Sequence, residues 1–178
     1  MTTKHKAIAI PVSFADDTPR FLTVRDRRFK EWIFVTGGCR KSEVSNPLRC
    51  AIRELEEETR AAVCIKHQHC SFSHFQFEVP ECLNSDVSCV YHVYIIPFNV
   101  NALSQKLITS TFYSEKMKTD ERKKFNMHIQ RTHDENDMIE FESLVDFNKK
   151  DRWSLITDNI INNPEFYRCL NSLKRTKI

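Results

Sequence analysis

The stretch RELEEET, residues 53–59, decides the fold of this chain, because it places four glutamates within five consecutive positions. Asn46 and Pro47 precede it. They suit the N-cap and the first position of a helix, where the N–H that proline lacks is not needed. We therefore expect a helix over residues 47–60. Carboxylates this close repel one another, so something must offset their charge.

The helix has two faces when residues are placed about 100° apart around its axis. The core-facing stripe consists of Leu48, Ile52, Leu55 and Thr59. The opposite face carries Glu54, Glu57 and Glu58, with Arg53 beside Glu57 and Glu56 pointing elsewhere. Such a face is either a solvated acidic surface or a set of oxygen ligands for a hard cation such as Mg²⁺ or Mn²⁺. The helix alone leaves both interpretations open.

The composition is that of one soluble globular domain. Of 178 residues, 40% are hydrophobic and 29% charged. No apolar run approaches the ~18 residues that span a bilayer, and the first residues lack the features of a secretory signal. Seven cysteines without a framework spacing then indicate reduced thiols and a cytoplasmic protein. A net charge of +3 permits an anionic substrate or RNA but does not indicate a dedicated nucleic-acid domain.

The chain contains only two glycines, the adjacent Gly37 and Gly38. They end the apolar segment EWIFVTGG, residues 31–38, which predicts a strand. Since glycine is avoided elsewhere, we expect this pair to serve a close approach or a positive φ.

The remaining pattern mixes strands and helices. We predict strands at 7–14, 20–26, 62–79 (bent or broken), 88–100 and 136–144, and further helices near 114–125 and 163–175. Because βαβ alternation is not regular, a mixed-sheet α/β or α+β domain is favoured. It would span residues 1–178 as a single domain, with an insertion at about 101–135.

The glycine pair and the helix together resemble the Nudix hydrolase family, whose box runs G-x5-E-x7-R-E-U-x-E-E-x-G-U, with U a bulky aliphatic residue. The segment RELEEE supplies the central R-E-U-x-E-E at the family's spacing. The resemblance implies an α/β/α sandwich with a mixed central sheet. Two departures stand out: nine rather than seven residues separate Glu43 from Arg53, and Arg60 occupies the position of the box glycine.

The resemblance also implies roles for individual residues. The metal ligands would be Glu54, Glu57 and Glu58 with the carbonyl of Gly37, holding Mg²⁺ or Mn²⁺. The catalytic residues would be Glu57, Arg53 and Glu135, with the general base either Glu57 or Glu135. The substrate-binding residues would be Arg28, Trp32, Gly38 and Glu43. Two plainer interpretations remain: the segment around Glu135 is an ordinary polar loop, and the cations near Arg28 are solvated.

The implied function is hydrolysis of a phosphoanhydride bond in a nucleoside diphosphate linked to another moiety. One alternative is mRNA decapping, because CAIRELEEET is similar to decapping Nudix proteins of large cytoplasmic DNA viruses and the cations at 122–124 could follow an RNA backbone. A second alternative is a non-catalytic nucleotide-binding module. The expected partners are a nucleotide or capped RNA and a second copy of the chain, without a membrane.

Overall fold

The computed structural model describes residues 2–176, apart from the side chains at 155 and 156. Its centre is a seven-stranded sheet. The strands are β1 (Thr2–Ser13), β2 (Arg20–Asp26), β3 (Trp32–Ile33), β4 (Val35–Gly38), β5 (Ser73–Pro80), β6 (Val87–Pro97) and β7 (Asn136–Glu142). The main order is β3-β2-β1-β6-β5, with β4 pairing to β1 and β7 to β2. Since β1 and β6 run parallel and the other pairs antiparallel, the predicted mixed sheet is confirmed.

Strand β1 is the centre of the sheet. It pairs with β2, β4 and β6, and its residues 7–13 are all buried. A strand covered on both faces loses the alternation of apolar and polar residues, which explains the continuous apolar run AIAIPV. Strand β4 lies beside this buried segment, with Gly37 opposite Ala7.

Within the described residues, five helices pack around the sheet: α1 (Pro47–Glu58), α2 (Ala102–Lys124), α3 (Leu144–Phe147), α4 (Ser154–Ile161) and α5 (Pro164–Arg175). Helix α1 packs on β1 and β4, α2 packs on β7, and α5 packs on β5 and β6. This mixed sheet with helices packed on it is the kind of α+β arrangement that the resemblance implies. No helix within residues 2–176 has both the length and the apolarity needed to cross a membrane.

Several boundaries differ from the predicted ones. Helix α1 ends at Glu58 and not at residue 60, because Arg60 and Ala61 adopt left-handed φ angles of 55° and 61°. The segment EWIFVTGG divides at Phe34, so that β3 pairs with β2 and β4 with β1. Turns and a short 3₁₀ helix (His67–His69) replace the first half of the strand predicted at 62–79.

The segment at 101–135 holds the long helix α2 and a 3₁₀ helix (Arg131–Asp134). Asn101 caps α2 by accepting a hydrogen bond from the N–H of Ser104. The helix extends twelve residues further toward the N-terminus than the predicted segment at 114–125. Two other short helices, α3 and α4, have no counterpart in the sequence prediction.

Candidate functional site

Helix α1 turns two of its glutamates, as well as its apolar stripe, toward the protein interior. Glu54 is 8% exposed and Glu58 6% exposed, whereas Glu56 lies open to solvent. The face opposite Leu55 is therefore covered by β4 and by residues 134–136. A solvated acidic face, which the sequence left open, is excluded for Glu54 and Glu58.

Arg53 ties the start of this face together. Its Nε and Nη2 donate to the carboxylate of Glu43 at 2.8 and 2.9 Å. Its Nη1 donates to Glu54 at 2.6 Å and to Glu57 at 3.3 Å, and Nη2 also donates to the carbonyl of Gly38 at 3.0 Å. These five hydrogen bonds hold the three carboxylates relative to one another and to β4.

Glu43 reaches Arg53 despite the longer box loop. It lies in a 3₁₀ helix (Lys41–Glu43), where its carboxylate also accepts from the N–H of Arg40 at 2.8 Å. The hydrogen bond from Arg53 lowers the pKa of Glu43 to about 2. The sequence assigned Glu43 to substrate binding, but in the structure it supports Arg53 and lies outside the cavity described below. Gly38 likewise contacts Arg53 and not the cavity.

Gly37 is required by a close approach and not by its backbone angle. Neither glycine has a positive φ. A Cβ added at Gly37 would lie 1.9 Å from Cδ of Glu54, whereas a Cβ at Gly38 would meet nothing within 4 Å. The Glu54 carboxylate thus packs directly on the backbone of β4, and only glycine leaves room for it.

Glu58 is the most deeply buried of the glutamates on helix α1. One carboxylate oxygen accepts from Nδ2 of Asn136 at 3.0 Å. Burial raises the pKa of Glu58 well above its usual value; Asn136 opposes this rise, and the neighbouring charges of Glu54 and Glu135 add to it. An amide is therefore its main partner where a cation would be expected.

Glu54, Glu57 and Glu135, which lie near Glu58, also repel one another. Burial raises the pKa of Glu54, against the opposing charge of Arg53 and with support from Glu57 and Glu135. Partial burial of its carboxyl raises the pKa of Glu135, and the charge of Glu57 adds to this while Arg28 opposes it. We call these four residues, Glu54, Glu57, Glu58 and Glu135, the acid cluster.

The acid cluster fits a hard divalent cation by the chemistry of its donors. Its carboxylates, with the carbonyl of Gly37 behind Glu54, offer oxygen ligands of the kind that Mg²⁺ and Mn²⁺ prefer. Within residues 2–176, no three His, Cys, Asp or Glu side chains are close enough to form a ready-made metal site. Glu54 and Glu57 point to Arg53 in part, so binding of a metal requires them to reorient.

A cavity of about 330 Å³ opens beside the acid cluster. Its acidic and polar walls include Glu58, Glu135 and Asn136, and its remaining walls include Arg28, Phe29 and Trp153. The turn that carries Arg28 and Phe29 is fixed, since both backbone N–H groups donate to the carboxylate of Asp26 at 2.7 and 2.8 Å. The cavity therefore joins carboxylates, one guanidinium and two aromatic rings.

The structure brings Arg28 to this cavity but not Trp32. Trp32 is 7% exposed and belongs to the core, where Nζ of Lys150 lies 3.6 Å from its ring centroid. Sequence reasoning missed Phe29, Trp153 and Asn136. Phe29 was detectable in the sequence, because it is a large apolar residue directly beside Arg28 in a charged turn. In the structure it is 70% exposed.

The segment that carries Glu135 is held by Arg27 and Arg25 and is not an ordinary polar loop. Arg27 donates from its backbone N–H to the carbonyl of Glu135 and from Nε to that of Asp134, both at 2.9 Å. Asp134 is 4% exposed and Asp137 8% exposed; Asp137 forms a two-point ion pair with Arg25 at 2.8 and 2.9 Å. Glu135 is thereby set at the cavity wall.

Comparison with known proteins agrees with this geometry. The family model of the NUDIX domain matches residues 3–116. No curated protein sequence matches the chain. Among solved structures, the NUDIX domain of Shewanella oneidensis NrtR, complexed with ADP ribose, is similar with a TM-score of 0.54 at 11% identity, over 85% of this chain and 80% of its own. The C. elegans Ap4A hydrolase reaches 0.54 at 12% identity, over 97% of this chain and 98% of its own.

At such identities the structural similarity shows the fold alone. The family rests on the domain model, which spans more than half of the chain and contains the whole segment from β4 through α1. The chain therefore belongs to the NUDIX domain family of Nudix hydrolases.

Proposed function

We propose that this Nudix hydrolase is metal-dependent and cleaves a phosphoanhydride bond in a nucleoside diphosphate linked to another moiety. The observation that carries the proposal is a cavity whose walls include Glu58 and Glu135 of the acid cluster together with Arg28, Phe29 and Trp153. Carboxylates bind the metal that a pyrophosphate requires, and aromatic rings with a guanidinium suit the nucleotide.

The residues that would hold Mg²⁺ or Mn²⁺ are Glu54, Glu57 and Glu58, with the carbonyl of Gly37. When bound there, the ion would neutralise the charge of a pyrophosphate and would lower the pKa of a coordinated water. Arg53 keeps Glu54 and Glu57 near β4, through its bonds at 2.6 and 3.3 Å. Its role is to position these ligands.

Two carboxylates can accept a proton from the attacking water, namely Glu57 and Glu135. Glu135 lines the cavity, and its raised pKa brings it nearer to the range in which a carboxylate accepts a proton well. Glu57 is 17% exposed in its side chain and is shared with Arg53 and Arg40. The geometry therefore favours Glu135 as the general base and Glu57 as a metal ligand.

Phe29 and Trp153 would hold the nucleobase, and Arg28 would hold a phosphate. Phe29 is mostly exposed, and the guanidinium carbon of Arg28 lies 5.5 Å from its ring centroid. A flat base stacked here would bury apolar area that the free protein exposes to water. The names of the two similar structures suggest ADP-ribose and diadenosine tetraphosphate as first substrates to test.

The test is hydrolysis of a panel with Mg²⁺ and with Mn²⁺: ADP-ribose, diadenosine tetraphosphate, a nucleotide sugar, nucleoside triphosphates and capped RNA. For the best substrate we expect Glu57→Gln to lower kcat by about 10²-fold or more. The matched control is Glu56→Gln, which removes one charge from the same helix turn at an exposed position and should keep kcat within about twofold.

The panel also separates the alternatives. mRNA decapping remains our second proposal, supported by the exposed cations of α2 such as Arg122. It requires release of the cap from capped RNA at a rate above that for free nucleotides. A wild-type protein that hydrolyses nothing in the panel, like Glu57→Gln, would instead be a non-catalytic binding module.

A further inference from the structure

A second cavity, which shares no lining residue with the first, lies between α2 and the turn before β7. We call it the α2 pocket; its volume is about 250 Å³. Its basic and polar walls are Arg60, Lys118, Thr119, Arg122, Gln130 and His133, and Glu115 and Ile129 complete it. Ile129 is its one apolar wall, so an apolar ligand has little to contact there.

Arg60 is the built part of this pocket. The residue is 3% exposed. Its Nη1 donates to Thr119 at 3.3 Å, and its Nη2 donates to Asp134 at 3.2 Å and to the carbonyl of Asn136 at 2.8 Å. Its Nε is buried and has no hydrogen-bond partner within residues 2–176. A buried donor without an acceptor is rare in folded proteins and calls for an explanation.

Positively charged side chains outnumber carboxylates in the walls of the pocket. Asp134 is shared by three cations, since Arg60, Lys123 and Arg27 lie at 3.2, 2.5 and 3.6 Å from its carboxylate. Lys118 pairs with Glu115 at 2.7 Å, an exposed pair that is easily exchanged. Arg122 has no ion pair within the described part of the chain. The pocket thus lacks the negative charge that would match its cations.

We propose that the α2 pocket binds a phosphate group. A phosphate oxygen can accept from Arg122, Lys118 and His133 at the mouth, in front of the fixed positive charge of Arg60. Because three hydrogen bonds already hold the guanidinium of Arg60, little conformational freedom is lost there when an anion binds. Glu115 releases Lys118 to the ligand.

This site is separate from the proposed hydrolytic site and does not depend on it. No residue lines both cavities. Except for Arg60 and Glu115, the walls of the α2 pocket also lie beyond residue 116, where the match to the NUDIX model ends. Arg60 occupies the position of the glycine in the family box. A role of its side chain in phosphate binding would explain why arginine is present there.

The first experiment is a titration of the protein with inorganic phosphate. Binding is measured by calorimetry at constant ionic strength in the presence of EDTA. EDTA removes divalent ions, so phosphate cannot bind through a metal at the acid cluster. The test variant is Lys118→Ser with Arg122→Ser, two exposed residues whose loss should leave folding intact. The matched control is Lys106→Ser with Arg175→Ser, which removes the same charges from exposed positions outside the pocket.

We expect the test variant to weaken phosphate binding at least tenfold and the control to stay within twofold of wild type. Arg60→Lys keeps the charge but loses the fork of donors, and it should also weaken binding. The Nε–H signal of Arg60 in a ¹⁵N NMR spectrum should shift on titration in the wild-type protein. Equal weakening in both double variants would overturn the proposal, because it indicates diffuse surface charge.

A second titration identifies the source of the phosphate. Its probe is a short single-stranded oligoribonucleotide with hydroxyl groups at both ends, so that every phosphate is a diester. Binding that Lys118→Ser with Arg122→Ser weakens tenfold assigns the pocket to a nucleic-acid backbone. Binding of inorganic phosphate alone assigns it to a free or terminal phosphate. Failure of both probes to bind wild type refutes the site.

Discussion

Two charged clusters meet at residues 134–136, and they are built in opposite ways. The acid cluster gathers four glutamates, whose partners include the guanidinium groups of Arg53 and Arg40 and the amide of Asn136. What we call the base cluster surrounds the single carboxylate of Asp134 with Arg27, Arg60 and Lys123. Asp134 and Glu135 are neighbours in sequence, yet one belongs to each cluster.

The difference shows what each cluster does for the fold. In the base cluster opposite charges meet inside the protein, and Asp134 has a lowered pKa because its hydrogen bonds to Lys123 and Arg60 outweigh its burial. In the acid cluster like charges meet, and the pKa of Glu58 is raised. We therefore expect the base cluster to stabilise the folded chain and the repulsion within the acid cluster to destabilise it in the absence of a cation.

Asp134→Asn is the largest test of this comparison. The substitution leaves three cations around a neutral amide, with Arg60 buried, and should lower the free energy of unfolding by about 3 kcal/mol. Urea unfolding at neutral pH measures it. Asp158→Asn, at an exposed position, is the control and should change stability by less than about 0.5 kcal/mol. A similar small loss for Asp134→Asn would mean that Asp134 stabilises nothing.

The same change in the acid cluster should act with the opposite sign. Glu58→Gln keeps the shape of the side chain and removes a buried charge that lies among other carboxylates. In EDTA we expect the variant to be as stable as wild type or more stable. A loss like that of Asp134→Asn would show that the charge of Glu58 is favourable, and the contrast between the clusters would fail.

The sequence revealed one of these clusters and not the other, for a physical reason. The acid cluster lies mainly on one helix, where spacing of three and four residues places side chains on one face. Its fourth member, Glu135, was assigned only through the family resemblance. The base cluster and the wall residue Trp153 come together from separate strands, helices and turns. Such contacts leave no periodicity in the local sequence.

The fold shows the same division. The strand at 20–26 and the start of α1 were predicted at the observed positions, because an apolar run with flanking turns and an Asn-Pro cap are local signals. The early end of α1 at Glu58 was not. It depends on Arg60 adopting a left-handed φ of 55°, which costs about 1–2 kcal/mol and is offset by bonds to Asp134 and Asn136. Only the folded chain supplies those partners.

Divalent metal should stabilise the folded chain by binding at the acid cluster and not at the base cluster. If Mg²⁺ or Mn²⁺ binds the folded chain, a concentration of 100 times the Kd stabilises it by about 2.7 kcal/mol and raises Tm. Thermal unfolding with the metal and then with EDTA measures this. The rise should persist in Glu56→Gln and disappear in Glu57→Gln. An equal rise in all three proteins would place the metal elsewhere.

The contact between Glu43 and Arg53, beside the acid cluster, should make the stability of the protein depend on pH in the acid range. The pKa of Glu43 is lowered from its usual 4.5 to about 2. Its contribution to stability is therefore complete above pH 4.5 and is lost as the pH falls toward 2. Glu43→Gln should cost about 1–3 kcal/mol at pH 7, and the difference from wild type should shrink below pH 4.5.

The control for that prediction is Glu81→Gln, which breaks an ion pair with Lys4 between exposed side chains. Such a pair should contribute little at any pH. If Glu43→Gln and Glu81→Gln have the same small effect across the pH range, Glu43 does not anchor Arg53. The extra residues of the box loop would then have uncoupled the first box glutamate from the helix.

The smallest change is one methyl group, and the two adjacent glycines provide the variant and its control. Gly37→Ala places a Cβ 1.9 Å from Cδ of Glu54, whereas Gly38→Ala meets nothing within 4 Å. The atom displaced is the end of a flexible side chain, so Gly37→Ala should lower stability by no more than about 1 kcal/mol. It must nevertheless move the Glu54 carboxylate off β4, and we expect kcat to fall at least tenfold while Gly38→Ala keeps its activity. If both variants keep full activity, the position of Glu54 against Gly37 does not matter to the reaction.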